Sequence, residues 1–371
     1  MAQKRTKKTH TDVFAARVKR LRGLFVEHEL DSFLVANPRD IQYLTGFRGE
    51  DAHLLVREKG KPILISDSRF ATELRDLKRK FSIHMRTALM CDAVAEVVVG
   101  TPLAAIGIQA EFVTLANRKA LAKAVGARKL KETQGVLGKL RIFKDESEIK
   151  LLRRGVKVAQ EALTEMLTAV KPGVTEYALA ARLDYEMRIR GAQDESFPAI
   201  VAAQANGALP HAVPGPTKVR KGRPLLVDWG ACIDGYRSDL TRTFHVGPFS
   251  RQMREIYEIV LESQLAGIAA IKPGASGKEV DDASRKVIVD AGYGKYFGHG
   301  LGHGIGLDVH EAPSLSWRSS DVLEPGMVVT VEPGIYLPDI GGVRIEDDVL
   351  VTERGHKVLS NYPKDIESAV L

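Results

Sequence analysis

Cysteine is scarce in this chain of 371 residues, which contains only Cys91 and Cys232. Two thiols cannot form a disulfide framework, so a disulfide-rich secreted scaffold is excluded and a cytoplasmic protein with free thiols is expected. Long apolar runs are also lacking, and no stretch approaches the roughly 20 residues that span a bilayer. The basic start MAQKRTKKTH is followed by neither an apolar segment nor a small-residue cleavage site. We therefore expect no secretory signal and no membrane partner.

Positive charge is in modest excess and is unevenly placed. The net charge is +7, and four of the positive charges are Lys4, Arg5, Lys7 and Lys8 in the basic tail. The rest of the chain is nearly balanced and does not interleave basic with aromatic residues as nucleic-acid-binding modules do. No nucleic-acid partner is expected. The length fits two domains.

The first 140 residues alternate short apolar runs with charged stretches. Strands are predicted for DSFLVANP, HLLVRE, KPILIS and AAIGIQ, and helices for residues 12–28 and 117–125. This alternation is typical of an α/β domain. Its histidines are scattered along the sequence, so this part of the chain shows no candidate site.

The remainder, residues 141–371, contains an internal repeat. In each copy a helix stops at a Lys-Pro-Gly tripeptide, and a second helix follows and stops at a glycine. The matching pairs, each 101 residues apart, are Lys171-Pro172-Gly173 with Lys272-Pro273-Gly274, and Gly191 with Gly292. Capping boxes are predicted for Asp145 with Glu148 and for Ser276 with Glu279. Because a β-rich stretch follows each copy, we predict helices packed on a sheet with pseudo-twofold duplication.

Each β-rich stretch contains two carboxylates beside apolar runs: Asp228 and Asp239 in the first copy, Glu332 and Glu346 in the second. A charge buried in such a run is costly unless it is paired or binds a metal. If the copies pack about a pseudo-twofold axis, the four carboxylates converge. With one histidine added, such a ligand set suits manganese, cobalt, iron or zinc.

These carboxylates also have ordinary structural explanations. Asp239 could pair with Arg237 or Arg242. Glu346 precedes two further acidic residues, and such charge runs usually lie at a solvated edge. Glu332 precedes a Pro-Gly turn signal. Their occurrence in pairs, in both copies, favours a site.

A glycine-rich segment, GHGLGHGIGLDVHEAP at residues 298–313, carries His299, His303 and His310. It contains too much glycine for a stable helix, so we predict extended chain and loop. Glycine also lets the backbone come close to a ligand or an ion. One imidazole could bind metal, and the other two would be free to hydrogen-bond a reacting carbonyl or a tetrahedral intermediate.

These motifs resemble those of the pita-bread metallopeptidases and, within that family, of the proline-specific peptidases: Xaa-Pro dipeptidase (prolidase) and aminopeptidase P. The motifs that carry the likeness are VDWGA with Asp228, YRSDLTRTF with Asp239, GHGIGLDVHE with His303, VEPGIY with Glu332 and VRIEDD with Glu346. The resemblance implies an α/β (α+β) fold class. A creatinase/prolidase-like domain would span residues 1–140, and a pita-bread catalytic domain residues 141–371.

The same resemblance implies two divalent metal ions, manganese, cobalt or zinc. Asp239 and Glu346 would bridge the two ions, Asp228 would complete one site, and His303 and Glu332 would complete the other. Because all five positions are present, the resemblance argues against the metal-free creatinases and against relatives that have lost ligands.

Further site residues are implied in the same way. Positions matching the family's outer-shell and substrate-binding residues are His211, His299, His310, Tyr336 and Arg344. We expect a hydroxide between the two metals to attack the carbonyl before proline. His310 would donate to the carbonyl oxygen, His299 would steady that end, and Glu332 would carry the proton to the leaving nitrogen. His211 and Arg344 would hold the proline end.

Substrate length stays open at this stage. Xaa-Pro dipeptides are the first expectation, and aminopeptidase P activity on longer peptides is the alternative, because both enzymes share every motif above. Methionine aminopeptidase shares the histidine motifs, but the long N-terminal domain, Tyr336 and Arg344 count against it. A non-catalytic binding protein on this scaffold is a further alternative. The resemblance also implies a homodimer, and it indicates neither the physiological metal nor the residue preferred before proline.

Overall fold

The structure, a computed structural model, describes residues 13–371. The basic tail residues Lys4, Arg5, Lys7 and Lys8 lie outside the described residues. The chain divides into one unit that ends at Arg141 and a second that spans Ile142–Leu371. The sequence places the division one residue earlier.

The first unit is built on a six-stranded mixed sheet of order β4-β3-β2-β1-β5-β6. Its strands are β1 (Ser32–Val35), β2 (His53–Arg57), β3 (Ile63–Ser66), β4 (Ser82–Met85), β5 (Ile106–Gln109) and β6 (Leu130–Thr133). Its helices are α1 (Val13–Gly23), α2 (Pro38–Thr45), α3 (Ala71–Leu77), α4 (Met90–Val98), α5 (Leu115–Leu121) and α6 (Gly138–Arg141). All four predicted strands are present.

Strands β4 and β6 were not predicted, and both lie at an edge of the sheet. An edge strand is covered less completely, so its side chains need not be strongly apolar. The burial of β4 reflects this, since none of its four residues is fully buried. The helix predicted for residues 117–125 is divided, because α5 ends at Leu121 and a wider turn follows over Ala122–Gly126.

Two helical hairpins organise the second unit. They are formed by α7 (Glu146–Leu167) with α8 (Glu176–Ile189), and by α9 (Arg251–Ala270) with α10 (Gly277–Asp290). Both predicted capping boxes are confirmed, at Asp145 before α7 and at Ser276 before α10. None of the helices within residues 13–371 is long and apolar enough to cross a membrane.

The strands of the second unit form small sheets around these hairpins. They are β7 (Asp194–Glu195), β8 (Ile200–Ala203), β9 (Pro224–Trp229), β10 (Ala231–Ile233), β11 (Tyr236–Arg237), β12 (Leu240–His245), β13 (Gly302–Gly304), β14 (Glu311–Leu315), β15 (Val328–Val331), β16 (Gly334–Leu337), β17 (Gly341–Arg344), β18 (Asp347–Thr352) and β19 (Gly355–Val358). One sheet has the order β12-β9-β8, and another has the order β14-β13-β15-β18-β19.

The internal duplication is visible in this topology. The order β12-β9-β8 in the first half matches β18-β15-β13 in the second, with antiparallel pairs throughout. Short hairpins, β10-β11 and β16-β17, occupy equivalent places between the paired strands. The isolated β-bridges also correspond: one joins Thr175 to Lys218, and the other joins Ser276 to Val322. Each half therefore repeats one helix-hairpin-and-sheet unit.

Strand β13 passes very close to its neighbours. A Cβ on Gly302 would lie 2.1 Å from the carbonyl oxygen of Thr330, and a Cβ on Gly304 would lie 2.1 Å from that of Ala312. Neither carbonyl can move without disturbing a paired strand. Glycine is therefore required at these two positions because a side chain would not fit. From the sequence we expected a close approach of the backbone to a ligand or an ion, but not to neighbouring strands.

Replacing Gly302 with alanine is expected to lower the free energy of unfolding by about 1–3 kcal/mol, because the added methyl group meets a backbone oxygen that cannot yield. Gly298 is the matched control, since a Cβ built there meets no described heavy atom within 4 Å. Gly298→Ala should change stability by no more than about 0.5 kcal/mol. Urea denaturation of metal-free protein measures both. Equal effects of the two substitutions would contradict the packing argument.

Candidate metal centre

A cavity of about 540 Å³ in the second unit gathers most of the predicted site residues. Those that line it are His211, Asp228, Asp239, His299, His303, His310, Glu332, Arg344 and Glu346. Tyr336 is in contact with two of them, His299 and Arg344. Apolar side chains complete the wall, among them Phe197, Ile200 and Val309.

The four carboxylates come from equivalent places in the two halves. Asp228 lies on β9, and Asp239 immediately precedes its partner strand β12. Glu332 immediately follows β15, and Glu346 immediately precedes the partner strand β18. Both halves thus deliver one carboxylate from each strand of an antiparallel pair. The convergence predicted from the duplication is what the structure shows.

Three side chains form the tightest group. Donor atoms of Asp239, His303 and Glu346 all lie within 4.8 Å of one another. Burial raises the pKa of Asp239, and the charges of Glu346 and Asp228 raise it further. Burial also raises the pKa of Glu346, with Glu332 and Asp228 adding to the effect. Such a cluster is unfavourable when all its members are ionised, and a bound cation relieves the repulsion.

His303 is oriented as a metal-binding histidine would be. Its Nδ1 lies 3.1 Å from the carbonyl oxygen of Gly304, which can only accept, so Nδ1 carries hydrogen and Nε2 faces the site. Nε2 lies 3.3 Å from Oε1 of Glu332. Burial alone would raise the pKa of Glu332, but His303 outweighs it and lowers that pKa to about 2. Burial disfavours protonation of His303, yet Glu332 raises its pKa.

An orphaned atom further supports the fit. Among the described residues, Oδ1 of the buried Asp228 has no hydrogen-bond partner, while Oδ2 accepts from Nη2 of Arg344 at 2.5 Å. A buried carboxylate oxygen without a partner is costly. Hard oxygen donors with one imidazole are the ligands that a divalent ion takes. The residues present therefore fit a metal centre.

Both ring nitrogens of His299 have partners within the protein. Its Nδ1 lies 2.8 Å from the carbonyl oxygen of Gly300 and must donate to it. Its Nε2 then accepts from the hydroxyl of Tyr336, also at 2.8 Å, and that hydroxyl accepts from Arg344. The ring nitrogen that faces the site is thus bound to Tyr336, and the role of His299 towards a substrate stays a prediction. Burial lowers the pKa of His299, which suits this neutral arrangement.

Arg344 is engaged with the protein as well. Its guanidinium group is buried and donates to Asp228, to the Tyr336 hydroxyl and to Thr241 Oγ1. This side chain neutralises one carboxylate of the cluster and orients the tyrosine, and its contact with the proline end of a substrate stays a prediction.

His310 and His211 lie at the exposed side of the cavity. The ring of His310 is 4.4 Å from that of His303, edge to face. Burial lowers the pKa of His310, and the neighbouring His303 lowers it further, so the ring is neutral near pH 7. The loop that carries His211 is anchored by buried Glu176, whose carboxylate accepts from the backbone of Ala203 and Gly215.

Two of the ordinary explanations of the carboxylates do not hold. Arg242, a possible partner of Asp239, pairs instead with Asp347 at 2.8 Å, and both side chains are buried. The acidic run 346–348 is not a solvated edge, since all three residues are at most 1% exposed.

Two further residues of the site were missed from the sequence. Thr241 Oγ1 donates to Glu346 Oε2 at 2.6 Å. Asp348 is fully buried, and its Oδ2 accepts from the backbone amide of Asp239 at 3.2 Å. Alternate residues of extended chain share a face, so the spacing of Glu346 and Asp348 was an available signal. Nothing comparable marked Thr241.

The sequence comparisons agree with this geometry. Residues 150–353 match the sequence model of metallopeptidase family M24, and residues 17–143 match that of the creatinase/prolidase N-terminal domain. The chain belongs to metallopeptidase family M24. The predicted α/β fold class and the predicted likeness to this family, including its proline-specific members, are confirmed, and so is the prediction of a metal-dependent peptidase.

Relatives within family M24 match over nearly the whole chain. An uncharacterised peptidase of Bacillus subtilis is 39% identical over 94% of this chain and 99% of its own. The structure of an Xaa-Pro dipeptidase from Bacillus anthracis has a TM-score of 0.93 and 40% identity, covering 96% of this chain and 100% of that one. That of an X-Pro aminopeptidase from Thermotoga maritima has a TM-score of 0.88 and 34% identity, with coverage of 96% and 100%.

The buried carboxyl of Asp348 predicts a pH dependence of stability in the metal-free protein. Burial raises its pKa from 3.8 to about 8, so the folded state keeps a proton that the unfolded state releases above about pH 4. Stability should therefore fall as pH rises from about 4 towards 8, by up to about 1.4 kcal/mol per pH unit from this group.

Asp348→Asn should flatten that slope, whereas Asp290→Asn, at an exposed position of α10, should leave it unchanged. Urea denaturation of chelator-treated protein across this pH range gives the comparison. The assignment fails if the Asp348→Asn slope is as steep as that of the control.

Proposed function

We propose that this M24 peptidase hydrolyses the bond between a first residue and proline, with Xaa-Pro dipeptides as its main substrates. The observation that carries the proposal is the group of Asp239, His303 and Glu346 in a cavity that also holds the predicted substrate-facing histidines. The likeness to an Xaa-Pro dipeptidase over nearly the entire chain supports the choice of bond.

In this proposal two divalent ions are held by five side chains. Asp239 and Glu346 would serve both ions, Asp228 would complete one site, and His303 with Glu332 would complete the other. The cluster of mutually repelling carboxylates and the orientation of His303 Nε2 support this assignment. Manganese, cobalt and zinc all suit the ligand set, and availability selects among them.

Metal ions bound there would lower the pKa of water and polarise the scissile carbonyl. The chain's own groups supply the proton handling. Glu332 is ionised at neutral pH, so it accepts a proton from the attacking water and returns it to the proline nitrogen as the C–N bond breaks. His310, neutral and at the open side of the cavity, donates a hydrogen bond to the carbonyl oxygen as negative charge develops.

The remaining residues orient the site. Arg344 neutralises Asp228 and fixes the Tyr336 hydroxyl, and that hydroxyl fixes the ring of His299. His299 reaches a substrate only by exchanging its bond with Tyr336. His211 holds the proline end from the exposed side of the cavity. A homodimer and a cytoplasmic location remain predictions.

Aminopeptidase P activity on longer peptides is the second candidate. The likeness to an X-Pro aminopeptidase, at 34% identity over almost all of both chains, favours keeping it. Methionine aminopeptidase is disfavoured because residues 17–143 match the creatinase/prolidase N-terminal domain.

The deciding assay compares an Xaa-Pro dipeptide with an Xaa-Pro-Xaa tripeptide. Chelator-stripped protein is supplied with manganese, cobalt or zinc in turn. We expect metal-dependent cleavage of the dipeptide at a higher kcat/KM than of the tripeptide. Preferential cleavage of the tripeptide would support aminopeptidase P instead, and no cleavage of either peptide with any metal would reject the proposed function.

Two substitutions separate metal binding from catalysis. Glu346→Ala should abolish both bound metal and hydrolysis, since it removes a ligand from both ions. His310→Ala should keep the metal and lower kcat by about 100-fold, the size of effect seen when one oxyanion donor is removed. Metal analysis and steady-state kinetics are the measurements. Glu353→Ala, at an exposed position, is the control and should behave as the wild type.

Retained turnover in Glu346→Ala would reject the assigned ligand set. An unchanged kcat in His310→Ala would remove the role given to that histidine.

A further inference from the structure

An ion pair on α10, Asp281 with Arg285, forms hydrogen bonds with the backbone of the segment that carries His299. Arg285 donates from Nη1 to the carbonyl oxygen of Phe297 at 3.0 Å and from Nη2 to that of His299 at 2.7 Å. Asp281 accepts from the backbone amide of Leu301 at 3.0 Å. The pair therefore binds a backbone group of every second residue from 297 to 301.

The pair is held rigidly. Arg285 donates to both carboxylate oxygens of Asp281, at 2.7 and 2.9 Å, and the Asp281 side chain is fully buried. The two-pronged geometry of guanidinium on carboxylate fixes direction as well as distance. The positions between the gripped residues are Gly298 and Gly300, which restrict the backbone least. The segment thus depends on external bonds for its conformation.

Arg285 also contacts two aromatic side chains. Its guanidinium carbon lies 4.1 Å from the ring centroid of Phe297 and 4.6 Å from that of Trp317. Phe297 leads into the His299 segment. Trp317 follows Ser314 and Ser316, which line the cavity. One arginine is thus in contact with both chain segments.

The pair acts on the ring of His299 through the backbone. With the His299 carbonyl fixed by Arg285, the ring lies where its Nε2 accepts from Tyr336, and Tyr336 in turn is bound by Arg344. Leu301 extends the effect, because its carbonyl oxygen accepts from the backbone amide of Glu332 at 2.8 Å. The carboxylate of Asp281 itself lies outside the metal cluster.

We propose that Asp281 and Arg285 are positioning residues of the peptidase site, acting on His299 through the backbone of residues 297–301. The inference rests on the proposed function for its kinetic consequences. Neither residue touches substrate, and neither contributes a metal ligand. Their effect is on the fraction of molecules in which His299, Tyr336 and Arg344 are correctly aligned.

The test uses Arg285→Ala, Arg285→Lys and Asp281→Asn in the full, metal-loaded protein. Arg285→Ala should lower kcat about 10- to 100-fold, because small misplacements of catalytic groups cost this much, while KM changes less than about threefold. Bound metal should be retained. Arg285→Lys should be intermediate, since an ammonium group reaches one carbonyl but cannot form the fork. Asp282→Asn, the exposed neighbour on α10, should behave as the wild type.

A double-mutant cycle identifies the route of the effect. Arg285→Ala is combined with His299→Ala and compared with each single variant. If Arg285 acts through His299, its loss costs little further kcat once His299 is gone. Fully multiplicative losses would overturn the proposal, as would an unchanged kcat in Arg285→Ala that retains its metal.

Tryptophan fluorescence gives a readout independent of activity. The chain has two tryptophans: Trp229 is fully buried, and Trp317 is 40% exposed and stacked on Arg285. Arg285→Ala should increase quenching of Trp317 by acrylamide, and Asp282→Asn should not. If the wild type cleaves no Xaa-Pro peptide but Arg285→Ala still increases quenching, the proposed function is rejected. The contact of Arg285 with both chain segments is then still supported. Unchanged quenching in Arg285→Ala would reject the positioning role of the ion pair.

If Arg285→Ala folds poorly, the double variant Asp281→Leu with Arg285→Met keeps the test decisive. Removing both charges together avoids an unpaired buried charge and should restore stability. It cannot restore the backbone bonds, so kcat should stay low. Recovery of kcat together with stability would show that the pair is merely structural.

Discussion

Mutual repulsion among buried carboxylates is the constraint around which the second unit is built. Asp228, Asp239, Glu332 and Glu346 share one cavity, and burial favours the protonated form of each. The chain offsets only part of this charge, with Arg344 beside Asp228 and His303 beside Glu332. Asp239 has only the same His303, at 3.8 Å, and Glu346 has no ion pair among the described residues. A divalent ion is the simplest source of the missing charge, and the ligand chemistry fits it.

The duplicated architecture makes this crowding possible. An antiparallel strand pair in each half presents one carboxylate per strand, so the arrangement arises twice from one folding unit. The halves are joined where β12 meets residues 344–346, through bonds such as Thr241 to Glu346 and Thr243 to Arg344. Close approach within the second half adds a separate constraint, because Gly302 and Gly304 lie against the carbonyl oxygens of Thr330 and Ala312, where no side chain fits.

How far the sequence predicts this molecule depends on where a signal is local. Helix caps such as Asp145 and Ser276 were predictable, because a capping box lies within four residues. The repeat was predictable from its fixed offset, and with it the convergence of four carboxylates. Strands β4 and β6 were not, since edge strands need little apolar patterning. The pairing of Asp347 with Arg242 and the contact of Thr241 with Glu346 each join residues 105 positions apart, and no local pattern encodes such a pairing.

The three histidines of the glycine-rich segment show how one stretch of chain supports three tasks. His303 lies on β13 among the four carboxylates. Its Nε2 therefore faces the place where a cation would balance their charge. His299 has both ring nitrogens hydrogen-bonded to protein groups, and its carbonyl oxygen accepts from Arg285 of α10. Its ring is therefore fixed in place rather than a mobile donor. His310 stands at the open side, neutral and accessible. Flexible glycines separate these roles, and each imidazole takes its function from the partners that surround it.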